Sequence, residues 1–158
     1  MKNKICLICC RGGSQTIKNK NIKNFAGKPL LSWILQEAIK SKIFNKIILS
    51  TDSKKIANIA RKFNVIIPGF RPKKLAHAKS DQFDTHKYIF NKMKINDKNS
   101  VVCVLNNNPF IKSKLIKKSF QIFEKFKFKK IVADYVRVDG DYISYKQFFI
   151  KAIFYPFF

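Results

Sequence analysis

The densest run of chemistry-bearing residues is Arg11-Gly12-Gly13-Ser14, continued after a short polar stretch by Lys20 and Asn21. Two glycines directly after an apolar run let the backbone turn sharply, so that successive N–H groups can point into one concavity of the kind that suits phosphate oxygens. Arg11 adds a guanidinium fork able to grip two oxygens, and Lys20 adds a point charge. Fixed cations of this type bind a polyphosphate and stabilise the charge that develops on a departing one. The run has neither the Gly-Lys-Ser/Thr ending of a Walker loop nor the GxGxxG of dinucleotide folds. A solvated basic loop is the plainer reading of the same residues.

Further candidates lie downstream. Asp52 follows an apolar run and either borders a ligand site or, with Ser53, caps the next helix. Arg71 stands in a long connection from Pro68 to Lys79. Asn106, Asn107 and Asn108 follow another apolar run and offer amide donors and acceptors, or simply make a turn. His77 and His86 belong to no recognisable base–nucleophile pair and read as ordinary histidines. Cys6 and Cys9 spell CxxC inside a strand pattern, where residues three apart face opposite sides and can share neither a metal nor a bridge. Buried free thiols are therefore expected. Asp139-Gly140-Asp141 reads as a tight turn, and no metal site is assigned to it.

The elements that must position these residues alternate. Apolar β-type runs at Lys4–Cys9, Lys46–Ser50, Val65–Ile67, Ser100–Leu105 and Ile131–Ala133 are separated by helical patterns. Gly27-Lys28-Pro29 opens the first helix, with Leu30, Leu31, Ile34, Leu35, Ala38 and Ile39 on its buried face. Ile56, Ile59, Ala60 and Phe63 mark the second. A third is expected over about Asp81 to Lys94, and a fourth through Ile116, Phe120 and Phe123. The order β-α-β-α-β-α-β-α-β specifies an α/β fold with a doubly wound, mostly parallel sheet. Ligands of such sheets sit outside the carboxyl ends of the strands, and the candidate loops all follow strands. The 158 residues are read as a single domain.

A formal charge of +24 attracts polyanions. Arginine, the residue suited to bidentate base and phosphate contacts, supplies only Arg11, Arg61, Arg71 and Arg137 of 33 basic residues. The lysines are spread through every element, and Lys, Asn, Ile and Phe are enriched together, as an AT-rich genome would produce. A dedicated nucleic-acid module is thus not indicated. The opening MKNKICLICC carries no cleavage pattern, and no uncharged stretch has the length of a membrane span, so a cytoplasmic protein is expected.

The stretch from Ile8 to Pro29, ICCRGGSQTIKNKNIKNFAGKP, resembles the signature of acylneuraminate cytidylyltransferases (CMP-N-acetylneuraminic acid synthetases). Ile48 to Ser53, ILSTDS, and Arg71 to Ala76, RPKKLA, are similar to two further motifs of that family at matching spacing. The resemblance implies a Rossmann-like fold of the nucleotide-diphospho-sugar transferase type. It implies transfer of CMP from CTP to an acidic nine-carbon sugar, with release of pyrophosphate and with Mg²⁺ as cofactor. Arg11 and Lys20 would bind the CTP phosphates and supply the catalytic charge. Gly12, Gly13 and Ser14 would shape the phosphate loop, Asn21 would contact the nucleotide, Arg71 would lie near the base, and Asp52 would border the site. Asn106 to Asn108 would face the sugar. Here the family's Gln-Pro-Thr-Ser-Pro-Leu-Arg loop reads Leu105 to Ile111, LNNNPFI, which leaves pseudaminate, legionaminate and 3-deoxy-octulosonate open as acceptors. The family's late Asp-x-Asp and dimerisation segment are absent, so a C-terminally truncated member, a homodimer when full-length, is expected. A nucleotide-binding remnant without catalysis is the alternative.

Overall fold

The computed structural model describes residues 3–14, 17–77, 79–95, 100–126 and 153–156. Strand β1 (Asn3–Cys9) is the centre of the sheet. Its uninterrupted apolar sequence fits this place, because a central parallel strand is covered on both faces. It pairs in parallel with β4 (Lys46–Ser50) on one side and with β5 (Ser100–Leu105) on the other, Cys6 lying opposite Ile47 and Cys103. A short strand, β6 (Ile153–Pro156), closes the β5 edge antiparallel. Between β1 and α1 the chain makes a 3-10 turn (Lys20–Ile22) and a small hairpin of β2 (Asn24–Phe25) and β3 (Lys28–Pro29).

The helices divide between the two faces. α1 (Leu30–Lys40), α2 (Lys54–Ala60) and α5 (Ser113–Phe126) cover one side, where Leu31, Ile34, Ile56, Ile116 and Phe120 pack on Cys6, Ile8, Leu49, Cys103 and Leu105. α4 (Gln82–Lys92) covers the other, setting Ile89 and Phe90 against Ile5, Leu7, Ile48, Val102 and Val104. Alternate residues of each strand thus feed alternate cores, as the pleat requires. The chain runs outward from β1 to β4, then returns past β1 to β5. The doubly wound, mostly parallel α/β arrangement is present, and its switch point falls between the carboxyl ends of β1 and β5.

Several local expectations are corrected. Val65–Ile67 forms no strand; only single parallel bridges, Ile48 with Ile66 and Thr51 with Phe70, extend the sheet there. Lys28 and Pro29 do not begin a helix. They form the second arm of the hairpin, whose turn uses Ala26 at φ 48° and Gly27 at φ 89°, and the helix starts at Leu30. Ile39 is 38% exposed and lies off the buried face of α1. A one-turn helix, α3 (Lys73–Ala76), interrupts the connection read as loop. The strand expected at 131–133 and the turn at 139–141 lie outside the described residues. β6 was not anticipated, because its segment shows no clear period in the sequence.

Candidate functional site

The loop after β1 is fastened to the end of β4 and the residues just past it by two hydrogen bonds that follow one another along the chain. The N–H of Cys10 donates to the carbonyl of Ser50 (2.9 Å), and the N–H of Gly12 donates to Oδ1 of Asp52 (2.8 Å). A Cβ on Gly12 would stand 3.1 Å from that of Ser53, a tight contact that the loop or Ser53 would have to relieve by a few tenths of an ångström, so the close approach of loop and helix favours glycine. Gly13 meets no such limit and is exposed. Ser53, not Asp52, caps α2, accepting from the N–H of Ile56. Asp52 is therefore freed for the loop, and the Gly12 amide, expected to face phosphate, is held by that carboxylate.

Arg71 is buried, and its guanidinium turns back onto strand β4. Nε donates to Oγ of Ser50 (3.1 Å) and an Nη to the Ser50 carbonyl (2.8 Å), while the Arg71 backbone N–H donates to the carbonyl of Thr51 (2.8 Å). It thus braces the same strand end that holds the first loop. Burial pushes the Cys10 thiol up to about 12, with Cys9 adding to the rise and Arg71 and Lys20 opposing it. Burial likewise raises Cys6 and Cys103, and Cys9 to about 11. All four cysteines are free, and such thiols are poor nucleophiles, as expected from the strand reading. Cys6 and Cys9 do face opposite cores.

Asn21 is buried and joins three segments. Its Nδ2 donates to the backbone carbonyl of Arg11 (2.8 Å), and its Oδ1 accepts from Nδ2 of Asn107 (2.7 Å). Asn108 instead accepts the N–H of Phe110 with its own side chain (2.9 Å), and Asn106 is exposed with its carbonyl taking the N–H of Asn108 (2.8 Å). Those two residues build the turn, whereas Asn107 reaches across. The side chains of Arg11, half-buried, and Lys20, exposed, are paired with no carboxylate among the described residues. Ser14 is half-buried.

A shallow hollow opens beside the loop, lined by Gly12, Asn19, Asn21, Ser53 and Lys55 among others. Arg11 and Lys20 are not in its wall. Sequence reasoning passed over Ser53 and Lys55 as lining groups, although the Asp-Ser dipeptide after a strand was a usable sign. His86 lies inside the protein near Arg71. Burial and, after it, Arg71 lower it to about 4 against the opposing pull of Asp81, so it is neutral at ordinary pH and unsuited to proton uptake there. Among the described residues no group of three His, Cys, Asp or Glu could hold a metal ion. Asp52, the carboxylate tied to the loop, already spends one oxygen on Gly12. A Mg²⁺ held by protein oxygens needs more than this, so these residues do not fit a resident ion. Asp139 and Asp141 lie outside the described residues.

Comparison with known proteins places this arrangement. Residues 5–145 match the family model described as cytidylyltransferase. Pseudaminic acid cytidylyltransferase of Campylobacter jejuni serotype O:2 is 34% identical over 131 residues, 80% of this chain and 53% of that protein. CMP-N,N'-diacetyllegionaminic acid synthase of Legionella pneumophila is 32% identical over 120 residues, 75% of this chain and 52% of that protein. The chain spans about half the length of these two relatives. Among solved structures, a CMP:2-keto-3-deoxy-manno-octonic acid synthetase complexed with CTP superposes with a TM-score of 0.67 at 14% identity, over 82% of this chain and 51% of the other, a likeness of fold. A strand-end basic loop braced by Asp52 and Arg71, on a sheet of this order and with this match, has one consistent origin: the chain belongs to the cytidylyltransferase family.

Proposed function

We propose that this chain forms the nucleotide-binding part of an enzyme that transfers CMP from CTP to a nonulosonic acid. The observation that carries the reading is the tie from Asn107 through Asn21 to the backbone carbonyl of Arg11, which joins the two loops leaving the switch point of the sheet, where doubly wound folds bind their ligands. The anomeric hydroxyl oxygen of the sugar bonds to the α-phosphorus, the bond to the bridging oxygen breaks, its electron pair leaves with pyrophosphate, and the hydroxyl proton passes to water. Arg11 and Lys20, which pair with no carboxylate among the described residues, take the triphosphate charge, and Ser14 and the Gly12-Gly13 backbone shape its path. Arg71 and Asp52 act by holding the loop in place. Mg²⁺, when bound, would neutralise part of the triphosphate charge, and the described residues do not supply a site for it. The cytoplasm, which supplies CTP, is the proposed location, and a homodimer the proposed assembly.

For the sugar, a pseudaminate- or legionaminate-type acid is the favoured acceptor. The pseudaminic acid cytidylyltransferase of Campylobacter jejuni and the legionaminic acid synthase of Legionella pneumophila described above align with 80% and 75% of the chain, whereas the N-acylneuraminate cytidylyltransferase of Escherichia coli aligns with 53% of it. Replacement of the expected Gln and Arg by the buried Leu105 and Ile111 also moves the acceptor loop away from the acylneuraminate pattern. N-acylneuraminate is the second reading. Calorimetric titration with CTP, ATP and UTP tests the nucleotide. Pyrophosphate release with CTP, Mg²⁺ and a panel of nonulosonic acids tests the transfer. CTP binding no tighter than that of ATP would overturn the assignment.

A further inference from the structure

We infer that Asn107 is a positioning residue that couples the acceptor-side loop after β5 to the phosphate loop after β1, so that CTP affinity depends on a side chain of the opposite loop. This inference rests on the nucleotide-site reading above. The two loops flank the switch point, and their strands are neighbours in the sheet, with Ile8 opposite Leu105. Two strand ends held side by side do not by themselves fix the loops that leave them. Here a chain of side-chain bonds does: Asn107 Nδ2 to Asn21 Oδ1 at 2.7 Å, then Asn21 Nδ2 to the carbonyl of Arg11 at 2.8 Å.

The direction of both bonds follows from chemistry. A backbone carbonyl only accepts, so the atom of Asn21 that faces Arg11 is its NH₂. The Asn21 oxygen then faces Asn107, and the atom of Asn107 that meets it must be a donor, its own NH₂. No flip of either amide preserves both bonds. Asn21 is buried, and its oxygen and nitrogen each hold a protein partner, so it acts as a bracket. Arg11, whose carbonyl is the end of the relay, carries a guanidinium assigned above to the triphosphate. A shift of Asn107 is thereby passed to the peptide unit that aims Arg11.

A second observation separates Asn107 from a loop-building asparagine. Its Oδ1 is buried and has no hydrogen-bond donor among the described residues. Asn106 and Asn108 serve the turn itself, with the backbone carbonyl of one and the side chain of the other engaged locally. A buried acceptor left without a donor is unfavourable and is retained at few positions, commonly where function constrains the side chain. Asn107 instead reaches across to Asn21.

The test is the dissociation constant of CTP, measured by calorimetry on the 158-residue chain and its Asn107→Ala, Asn21→Ala and doubly substituted forms, with thermal unfolding of each. Asn107→Ala is expected to weaken CTP about tenfold, and the double variant to bind no more weakly than the worse single one, since residues of one network are not additive. Asn107→Asp keeps the shape but turns an acceptor toward the Asn21 oxygen, and should weaken CTP at least as much; it stands in if the alanine form does not fold. Asn107→Ser, which keeps a hydroxyl donor, should recover part of the loss, a rescue that a merely space-filling role would not give. Wild-type CTP affinity in Asn107→Ala, or effects of the two alanine changes that simply multiply, overturns the coupling. Absence of CTP binding in the unsubstituted chain overturns the nucleotide-site reading itself and is told apart by being seen without any substitution.

Discussion

At Gly12 the absence of a side chain answers to residues far along the chain: an added Cβ would stand only 3.1 Å from that of Ser53, while the Gly12 N–H reaches Asp52, 40 residues away. Gly12→Ala is therefore expected to push the loop off α2 and weaken CTP binding, whereas Gly13→Ala, with no neighbour to meet, should have a smaller effect; paired titrations decide. Arg71 is a larger case. Its guanidinium makes two bonds to Ser50, and hydrogen bonds to charged groups are worth about 1.5–3 kcal/mol each. Arg71→Ala should lower unfolding stability by about 2–4 kcal/mol in a denaturant titration, and Arg71→Lys should recover only part of it, because an ammonium does not reproduce the fork. His86 carries a pH signature. Its folded value of about 4 lies below the ordinary 6.5, so the unfolded chain binds the proton more tightly. Its contribution is fully present above about pH 6.5 and is lost as pH falls toward 4, by at most about 3 kcal/mol. His86→Gln should flatten the fall in melting temperature over that window; an unchanged slope would remove His86 as its source.

At the scale of elements, the helix starts show what local chemistry accomplishes. Asp81 accepts the N–H of Phe83 at 2.8 Å and begins α4 at the place its sequence indicates. Asp81→Ala should cost about 1 kcal/mol, read as a lower unfolding midpoint. At the start of α1, by contrast, Pro29 looks like a first-turn proline, yet Lys28 and Pro29 pair with Phe25 and Asn24. The hairpin wins because Ala26 and Gly27 both take left-handed backbone, the conformation that closes a two-residue turn. Only Gly27 advertises that in the sequence. Val65–Ile67 errs the other way. Its residues have strand character, but the segment lies at the sheet edge and makes one bridge to Ile48, so propensity without a second partner leaves it irregular.

For the whole molecule, the charge of +24 is a physical load as well as a lure for anions. Self-repulsion among the lysines is screened when salt rises from about 0.01 M to about 0.1 M, as the Debye length falls from about 30 Å to about 10 Å. The melting temperature should rise across that range. Any association with DNA should weaken steeply over the same range and show no sequence preference, whereas CTP, held by a few fixed groups, should lose far less. Tight DNA binding that survives moderate salt and excludes CTP would point to a nucleic-acid partner instead. No helix among the described residues is long and apolar enough to cross a membrane.

The strands β1, β4 and β5, the helices between and after them, the covering of β1 on both faces and the basic loop that follows it were legible in the sequence, because each is written in local terms: apolar period, glycine after a strand, a cap before a helix. Three ordered motifs were enough to indicate the family. What the motifs did not contain is who holds whom. Asp52 could border a ligand or cap a helix, and the fold uses it to grip Gly12; Asn106, Asn107 and Asn108 are chemically identical, and only the bond to Asn21 singles out the middle one. Those assignments depend on distances between segments 40 to 86 residues apart in the chain, which are set when two cores pack on opposite faces of the sheet. Side-chain type determines which contacts are possible; the packing of α1, α2, α4 and α5 against β1, β4 and β5 decided which of them were made.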